Sequence, residues 1–453
     1  MTTVQRDHQE ASSPPIRMTY AEACAYLESL QFFRIKLGLA TMLLLLKELG
    51  QPQEALKFVH IAGTNGKGSV GITLATVFSQ AGYKTGFYSS PHLHSVRERF
   101  RINGHIISQS EFAVIFSELR QVFHKTKVQP TYFECTTLAA LLWFNRQEVD
   151  LAIMETGLGG RLDATNVITP LLSIITDISR DHEQYLGESI EQIAAEKAGI
   201  IKKGVPVVFS GRTGNSTAVI QGTCQKSMSP LYLLGRDFSV QPEEDMQIFS
   251  YTGLSGQTWH NLPLALSGQH QVINMSLTLA AMELLQLQLP LTEDTIRQAL
   301  ALVHWPGRME HLHVLFAGKQ KFILLDGAHN EAGVGALSEA LASLATTKNI
   351  SLVWANMADK EVGEAWHRLL FLSERIILTR ADSPRSADPQ DLWLKLTDDE
   401  RQRARCADHA EEALNYAFVS ANDNTLICVA GSLYLVGQLR HYLLEKMRAS
   451  SHG

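Results

Sequence analysis

Cysteine is scarce in this 453-residue chain, and the few present do not pair. The five residues, Cys24, Cys135, Cys224, Cys406 and Cys428, are odd in number, far apart and free of any C-x-x-C spacing. That excludes a disulfide framework and a cysteine zinc site, leaving reduced, mostly buried thiols as the expectation. A long hydrophobic run is missing as well. The opening, MTTVQRDHQEASSPPIR, is polar and lacks the apolar stretch of a secretory signal, so residues 1–17 read as a loose tail. The most apolar early segment, LGLATMLLLLKELG, is too short for a bilayer and closes on Gly50, which reads as a core helix with a glycine stop. Positive charge is not in excess either. With 40 basic against 46 acidic side chains the net charge is −6, which argues against a general grip on phosphate backbones. The expectations are therefore no nucleic acid, no membrane and a cytoplasmic location.

What is present is globular. Apolar residues make up 45% and charged residues 19% of a chain longer than one core comfortably fills, so two domains, or three, are expected. Short apolar runs alternate with helical stretches: KFVHIA (57–62), YKTGFYSS (83–90), VDLAIMET (149–156), LLSIITDI (171–178) and VPVVFS (205–210). Such alternation predicts a parallel sheet covered by helices. Between 211 and 266 the pattern weakens, and pieces such as LYLLGRDFSV predict antiparallel hairpins at an edge. QHQVINMSLTLAAMELLQL (269–287) is a helix. A Pro-Gly break in HWPGRME (304–310) precedes a new βα series carrying KFILLDGAHN, ISLVWANMADKE, RIILTRADSPRS and TLICVAGSLYLVGQL. The fold class is α/β, with residues 18–303 as one domain and 304–453 as a smaller one.

The chemistry lies in the loop after each run. VHIAGTNGKGSVG resembles a phosphate loop, but Ile61 stands where the first glycine of G-x-x-x-x-G-K-[ST] belongs and Gly68 where the metal-binding hydroxyl belongs. Gly63, Gly66 and Gly68 let backbone N–H groups approach an anion, and Lys67 adds a charge for phosphate oxygens. Oxygen donors for a hard cation then have to come from elsewhere, and Ser89, Ser90 and Glu155 stand at the ends of neighbouring runs. Ligands of open α/β sheets lie beyond the carboxyl ends of the strands, so these scattered loops should converge on one site.

SIEQIAAEKAGIIKKG carries an anomaly. Ser189 and Gln192 form a capping box that fixes the helix phase, and Lys197 then falls on the apolar stripe with Ile190, Ile193, Ala194 and Ile201. Spacing leaves two readings: a lysine whose stem packs while its head reaches water, or a neutral buried amine that adds carbon dioxide and becomes an oxygen ligand. His182 is a metal ligand, a base or a plain loop histidine. Asp326 and Arg308 could reach a nucleotide held between the domains.

Together these residues resemble the folylpolyglutamate synthase and dihydrofolate synthase family of Mur-type amide ligases. The resemblance runs from Met18 onward through HIAGTNGKGS, YSSPHL, ERFRING, TYFE, ETGLGGRLDATN, DH, EKAGIIK, GQHQVIN, PGRME, LDGAHN and GSLYLVG, in that order. It implies a P-loop ATPase-like first domain and a Rossmann-like second domain that ligates glutamate. It also implies ATP at Thr64, Asn65, Gly66, Lys67, Gly68, Ser69, Asn274, Arg308, Asp326 and His329. One Mg²⁺ is implied on Ser90 and Glu155, and a second on Glu155, His182 and a carbamylated Lys197. Lys67, His182 and Lys197 take the catalytic roles, and Thr131, Tyr132, Phe133, Glu134, Arg161, Leu162 and Asp163 the pterin. The implied reaction joins L-glutamate to dihydropteroate, to tetrahydrofolate polyglutamates, or to both, through an acyl phosphate, in a monomer. A ligase for cell-wall precursors, for which a leading domain is expected, and a nucleotide-binding protein that does not ligate are the rival readings.

Overall fold

A computed structural model of the chain describes residues 17–30, 38–211, 214–243, 247–360 and 362–450. All but Arg17 of the expected tail lies outside them. An eight-stranded sheet organises the first lobe, from β1 (Phe58–Ala62), β2 (Thr85–Tyr88), β3 (Phe100–Ile102), β4 (His105–Ile106), β5 (Leu151–Glu155), β6 (Leu172–Ile175), β7 (Val207–Phe209) and β8 (Leu231–Leu233). Its order is β4-β3-β2-β5-β1-β6-β7-β8. All neighbours are parallel except the β2–β3 and β3–β4 pairs. β1 and β5 are buried at every position, as strands covered by helices on both faces must be.

The expected edge hairpins are only half right. Leu231–Leu233, inside LYLLGRDFSV, pairs in parallel with β7 and extends the main sheet. The short run comes after a helix, Gly214–Lys226, and so completes one more strand-helix-strand crossover. The antiparallel element begins after it, with β9 (Ser239–Pro242), β10 (Ile248–Thr252) and β11 (Thr258–Pro263) forming a separate three-stranded sheet. That sheet packs on the helix Gln269–Leu285 in the same core as β1 and the helix Lys67–Gln80.

The second lobe holds a six-stranded sheet in the order β12-β13-β17-β14-β15-β16. Its strands are β12 (Glu310–Phe316), β13 (Lys319–Leu325), β14 (Asn349–Trp354), β15 (Ser373–Leu378), β16 (Ala404–Cys406) and β17 (Thr425–Ala430). β12 and β13 form a tight antiparallel hairpin, which the apolar pattern alone does not separate. Its turn residues, Ala317 and Gly318, both take positive φ (49° and 76°), the conformation that matches the twist of two-residue hairpins. The rest of the sheet is parallel and built around Trp354, which is fully buried. The five cysteines are all free, with Cys135, Cys224 and Cys428 buried. No helix among the described residues is long and apolar enough to cross a membrane.

Candidate active site

The carboxyl ends of the parallel strands in both lobes face a single cavity of about 690 Å³. Every residue named above for nucleotide, metal or pterin lines it except Ser89 and Arg161. Of the two serines offered as cation donors, Ser89 is buried behind the wall and Ser90 reaches the cavity.

β1 runs into the glycine loop, and the helix Lys67–Gln80 starts directly after it with Gly66 in the left-handed region (φ 87°). A side chain at Gly66 would collide with the Asn274 amide, which is itself fixed by donating to Gln271 Oε1 at 2.9 Å. Gly68 answers the question raised by the imperfect motif. A Cβ there would lie 2.8 Å from Nε1 of Trp305, in the segment that joins the lobes. Trp305 is partly buried and held by Phe87 (5.7 Å between rings) and by the Arg101 guanidinium (5.7 Å from its ring), so a Cβ at Gly68 would have to push it out of these contacts. The hydroxyl is thus displaced by packing. Lys67 Nζ donates to the carbonyls of Gly63 (2.9 Å) and Thr64 (3.2 Å), while Thr64 Oγ1 donates to Ser179 O at 2.9 Å.

The oxygen donors are close by. Glu155 ends β5, is 4% exposed, and accepts from the Ser90 backbone N–H at 3.2 Å. Burial pushes its carboxyl up, against the opposing pull of Lys67, Arg308 and Arg99. Lys197 is 3% exposed, which overturns the reading of a lysine whose head reaches water. Burial, aided by the Lys67 charge, brings its ammonium down to about 7, against Asp181, Asp177 and Asp163. His182 is half-buried and takes a left-handed backbone (φ 54°). Burial lowers its imidazole to about 4. Among the described residues no three His, Cys, Asp or Glu side chains gather as a metal site. Any cation here needs the Ser90 hydroxyl or a modified Lys197 in addition.

The second lobe contributes committed groups. Asp326 accepts from the backbone N–H of Met309 (2.8 Å) and of Ala328 (2.9 Å), so its carboxylate folds the PGRME segment back over β13 and sets Arg308 at the cavity wall. His329 donates from Nδ1 to Gly327 O at 2.7 Å, which leaves Nε2 as an acceptor, and burial lowers its pKa.

The TYFE segment is a helix start. Thr131 and Glu134 form a capping box, with Glu134 Oε2 accepting from Thr131 N–H at 2.7 Å. The other carboxylate oxygen, Oε1, is buried with no hydrogen-bond partner. Phe133 packs against Gly157, where a Cβ would come within 2.5 Å of the ring. Asp163 accepts from the N–H groups of Gly157 (2.9 Å), Leu158 (2.8 Å) and Thr165 (3.0 Å), so it builds the loop that holds Leu162 at the cavity. Arg161 points the other way and pairs with Glu196 at 2.7 Å, 57% exposed.

Among the wall residues to which sequence reasoning gave no role, Arg99, Asp181 and Lys360 stand out. Arg99 is buried, donates from Nε to His92 Nδ1 at 2.9 Å and covers the Tyr132 ring at 5.2 Å. Asp181 and Lys360 form an ion pair between the lobes. Lys360 comes after β14, so the same strand-end rule that found Glu155 applies to it.

The chain matches the Mur ligase middle domain over residues 61–282 and the Mur ligase glutamate ligase domain over residues 307–433. It is 32% identical to the dihydrofolate synthase/folylpolyglutamate synthase of Bacillus subtilis over 434 residues, covering 94% of this chain and 99% of that one. The crystal structure of folylpolyglutamate synthase from Thermotoga maritima superposes with a TM-score of 0.80 at 35% identity, over 94% of this chain and 96% of that one. E. coli FolC in complex with DHPP and ADP superposes with a TM-score of 0.84 at 28% identity, over 96% of this chain and 100% of that one. With full-length relatives on both counts and one cavity fed by both lobes, the chain belongs to the folylpolyglutamate synthase/dihydrofolate synthase family of Mur-type ligases.

Proposed function

We propose that this cleft joins L-glutamate to the carboxyl group of dihydropteroate and of tetrahydrofolate polyglutamates, using ATP and releasing ADP and phosphate. The observation that carries the reading is the meeting, in one cavity, of a glycine loop with Lys67, a buried carboxylate at Glu155 and the TYFE and RLD segments, closed from the other side by Arg308 and His329. Residues 18–303 are the nucleotide lobe on this reading and 304–453 the glutamate lobe.

Lys67 and Arg308 supply positive charge where phosphoryl oxygens gather charge, and backbone N–H groups of residues 65–69 cradle the nucleotide. Ser90 and Glu155 suit magnesium because both offer hard oxygens, and a bound cation would stabilise the ionised form of the buried Glu155 carboxyl. A second ion suits Glu155, His182 and Lys197 once that lysine carries carbon dioxide, which its lowered pKa favours by leaving the amine neutral. Bound there, magnesium would neutralise oxygens of the transferring group. The orphaned Glu134 Oε1 is placed to accept from an N–H of a pterin, with Phe133 and Tyr132 as apolar walls. His329, with Nδ1 occupied, offers Nε2 at the cavity wall as an acceptor for an N–H or O–H donor such as the glutamate amine. Leu433 and Tyr434, at the cavity wall on the second lobe, help keep water from the acyl phosphate.

Five free cysteines suit the reducing cytoplasm, and both halves of the cleft come from one chain, as a working monomer requires. The test is phosphate release with mass analysis of the product. Release should need both a pterin acid and L-glutamate, and each pterin acid should gain one glutamyl unit per ADP formed. Turnover without glutamate overturns ligation, and activity with only one of the two pterin acids reduces the enzyme to a single step.

A further inference from the structure

At the seam between the lobes, one carboxylate of the first lobe is held by two side chains of the second. Asp181 Oδ2 accepts from Asn330 Nδ2 at 3.0 Å, and Oδ1 pairs with Lys360 Nζ. The pair is nearly dry, with the Lys360 and Asp181 side chains 11% and 10% exposed. Asn330 has two other duties. Its Oδ1 caps the helix Glu331–Leu344 by accepting from Gly333 N–H at 2.8 Å, and its Nδ2 also donates to Asn65 Oδ1, in the glycine loop, at 3.2 Å.

Buried ion pairs are poor sources of stability, because desolvation of both charges roughly cancels their attraction. A pair placed between two lobes therefore points to a geometric role. Asp181 Oδ1 also accepts from the backbone N–H of the next residue, His182, at 2.8 Å. His182 has φ 54°, a left-handed conformation that costs a non-glycine residue about 1 kcal/mol or more. The Asp181 carboxylate holds that conformation, and the second lobe holds the carboxylate. The backbone that carries the imidazole is thus tied to a carboxylate held from across the cleft, and the imidazole Nε2 itself lies 3.9 Å from that carboxylate.

We propose that Lys360, assisted by Asn330, is a positioning residue for His182: docking of the second lobe fixes Asp181 and, through it, the imidazole that completes the second magnesium site. The inference rests on the two-metal reading given above. It makes the metal site complete only when the lobes are together, so that the reactive arrangement forms where water is excluded.

Mn²⁺ can replace Mg²⁺ as a spectroscopic probe. Bound Mn²⁺ would be counted by electron paramagnetic resonance on the full-length protein with a non-hydrolysable ATP analogue. The wild type should bind two ions. Lys360→Met should keep the first and bind the second about 10- to 100-fold more weakly, as loss of a group supporting a ligand usually does. Lys360→Arg, which keeps the charge, should recover most of the loss. Asn330→Ser keeps a helix cap but loses the amide donor, and should shift the second ion in the same direction by less. Retention of the first ion shows that the variants fold. An unchanged second ion in Lys360→Met overturns the proposal, as does a rise in the KM for L-glutamate with both ions intact, which would make Lys360 a substrate contact. A single ion in the wild type overturns the two-metal reading itself.

Discussion

The two lobes present the same device, loops at the carboxyl ends of parallel strands, and use it in opposite ways. In the first lobe the acids and bases at these ends are kept out of their comfortable states: burial raises Glu155, and burial brings Lys197 down to about 7. In the second lobe the equivalent groups are tied to the chain. Asp326 commits both oxygens to backbone N–H groups, His329 gives Nδ1 to a carbonyl, and Asn330 caps a helix. Groups held in an unfavoured protonation state are candidates for chemistry, and groups tied to the backbone hold the geometry, although His329 and Asp163 combine both features. On the proposed reading the first lobe supplies most of the reacting groups, and the second does most to fix their geometry.

The comparison breaks most visibly at Lys197. Lys197→Ala should lower kcat by about 10²–10³-fold, the usual effect of removing one preorganised stabilising group, with partial recovery on adding acetate or formate. ADP formation checks this, and a variant as active as the wild type would make the buried lysine a packing residue. The pH dependence comes from the same shift. Because the folded value of about 7 lies below the ordinary 10.5, the unfolded chain holds one more proton between them. Stability should rise with pH across that window, and the contribution is lost as pH falls through about 7. Chemical denaturation of wild type and Lys197→Met at several pH values measures the difference.

A smaller effect is expected where the lobes meet. Gly68→Ser restores the standard motif on paper, but its Cβ meets Trp305 at 2.8 Å. Overpacking at such a site costs about 1–3 kcal/mol, so thermal unfolding should fall and activity should not rise. The smallest effect belongs to Arg161→Ala. Its exposed ion pair with Glu196 is worth about 0–1 kcal/mol, and the KM for the pterin acid should stay near that of the wild type. A large rise would place Arg161 in the cleft after all.

Strand-end loops were legible in the sequence because apolar runs and the punctuation after them are local signals, and those signals pointed to Lys67, Ser90 and Glu155 on one wall, whereas the helix phase put Lys197 on an apolar stripe and only the family resemblance gave it a role at the site. Contacts between distant segments were not. Nothing near Gly68 announces Trp305, nothing near Asp181 announces Lys360, and the direction of Arg161 depends on a helix 35 residues further on. The parallel course of Leu231–Leu233 was likewise hidden, since three apolar residues carry no sign of which neighbour they will pair with.

The central claim is that this cleft activates a carboxylate by phosphoryl transfer before the amine attacks. Label from a pterin acid carrying ¹⁸O in its carboxyl group, traced by mass spectrometry of the released phosphate, tests it most directly. One ¹⁸O atom should appear in phosphate for each glutamate joined; unlabelled phosphate, or label in AMP, would contradict the account.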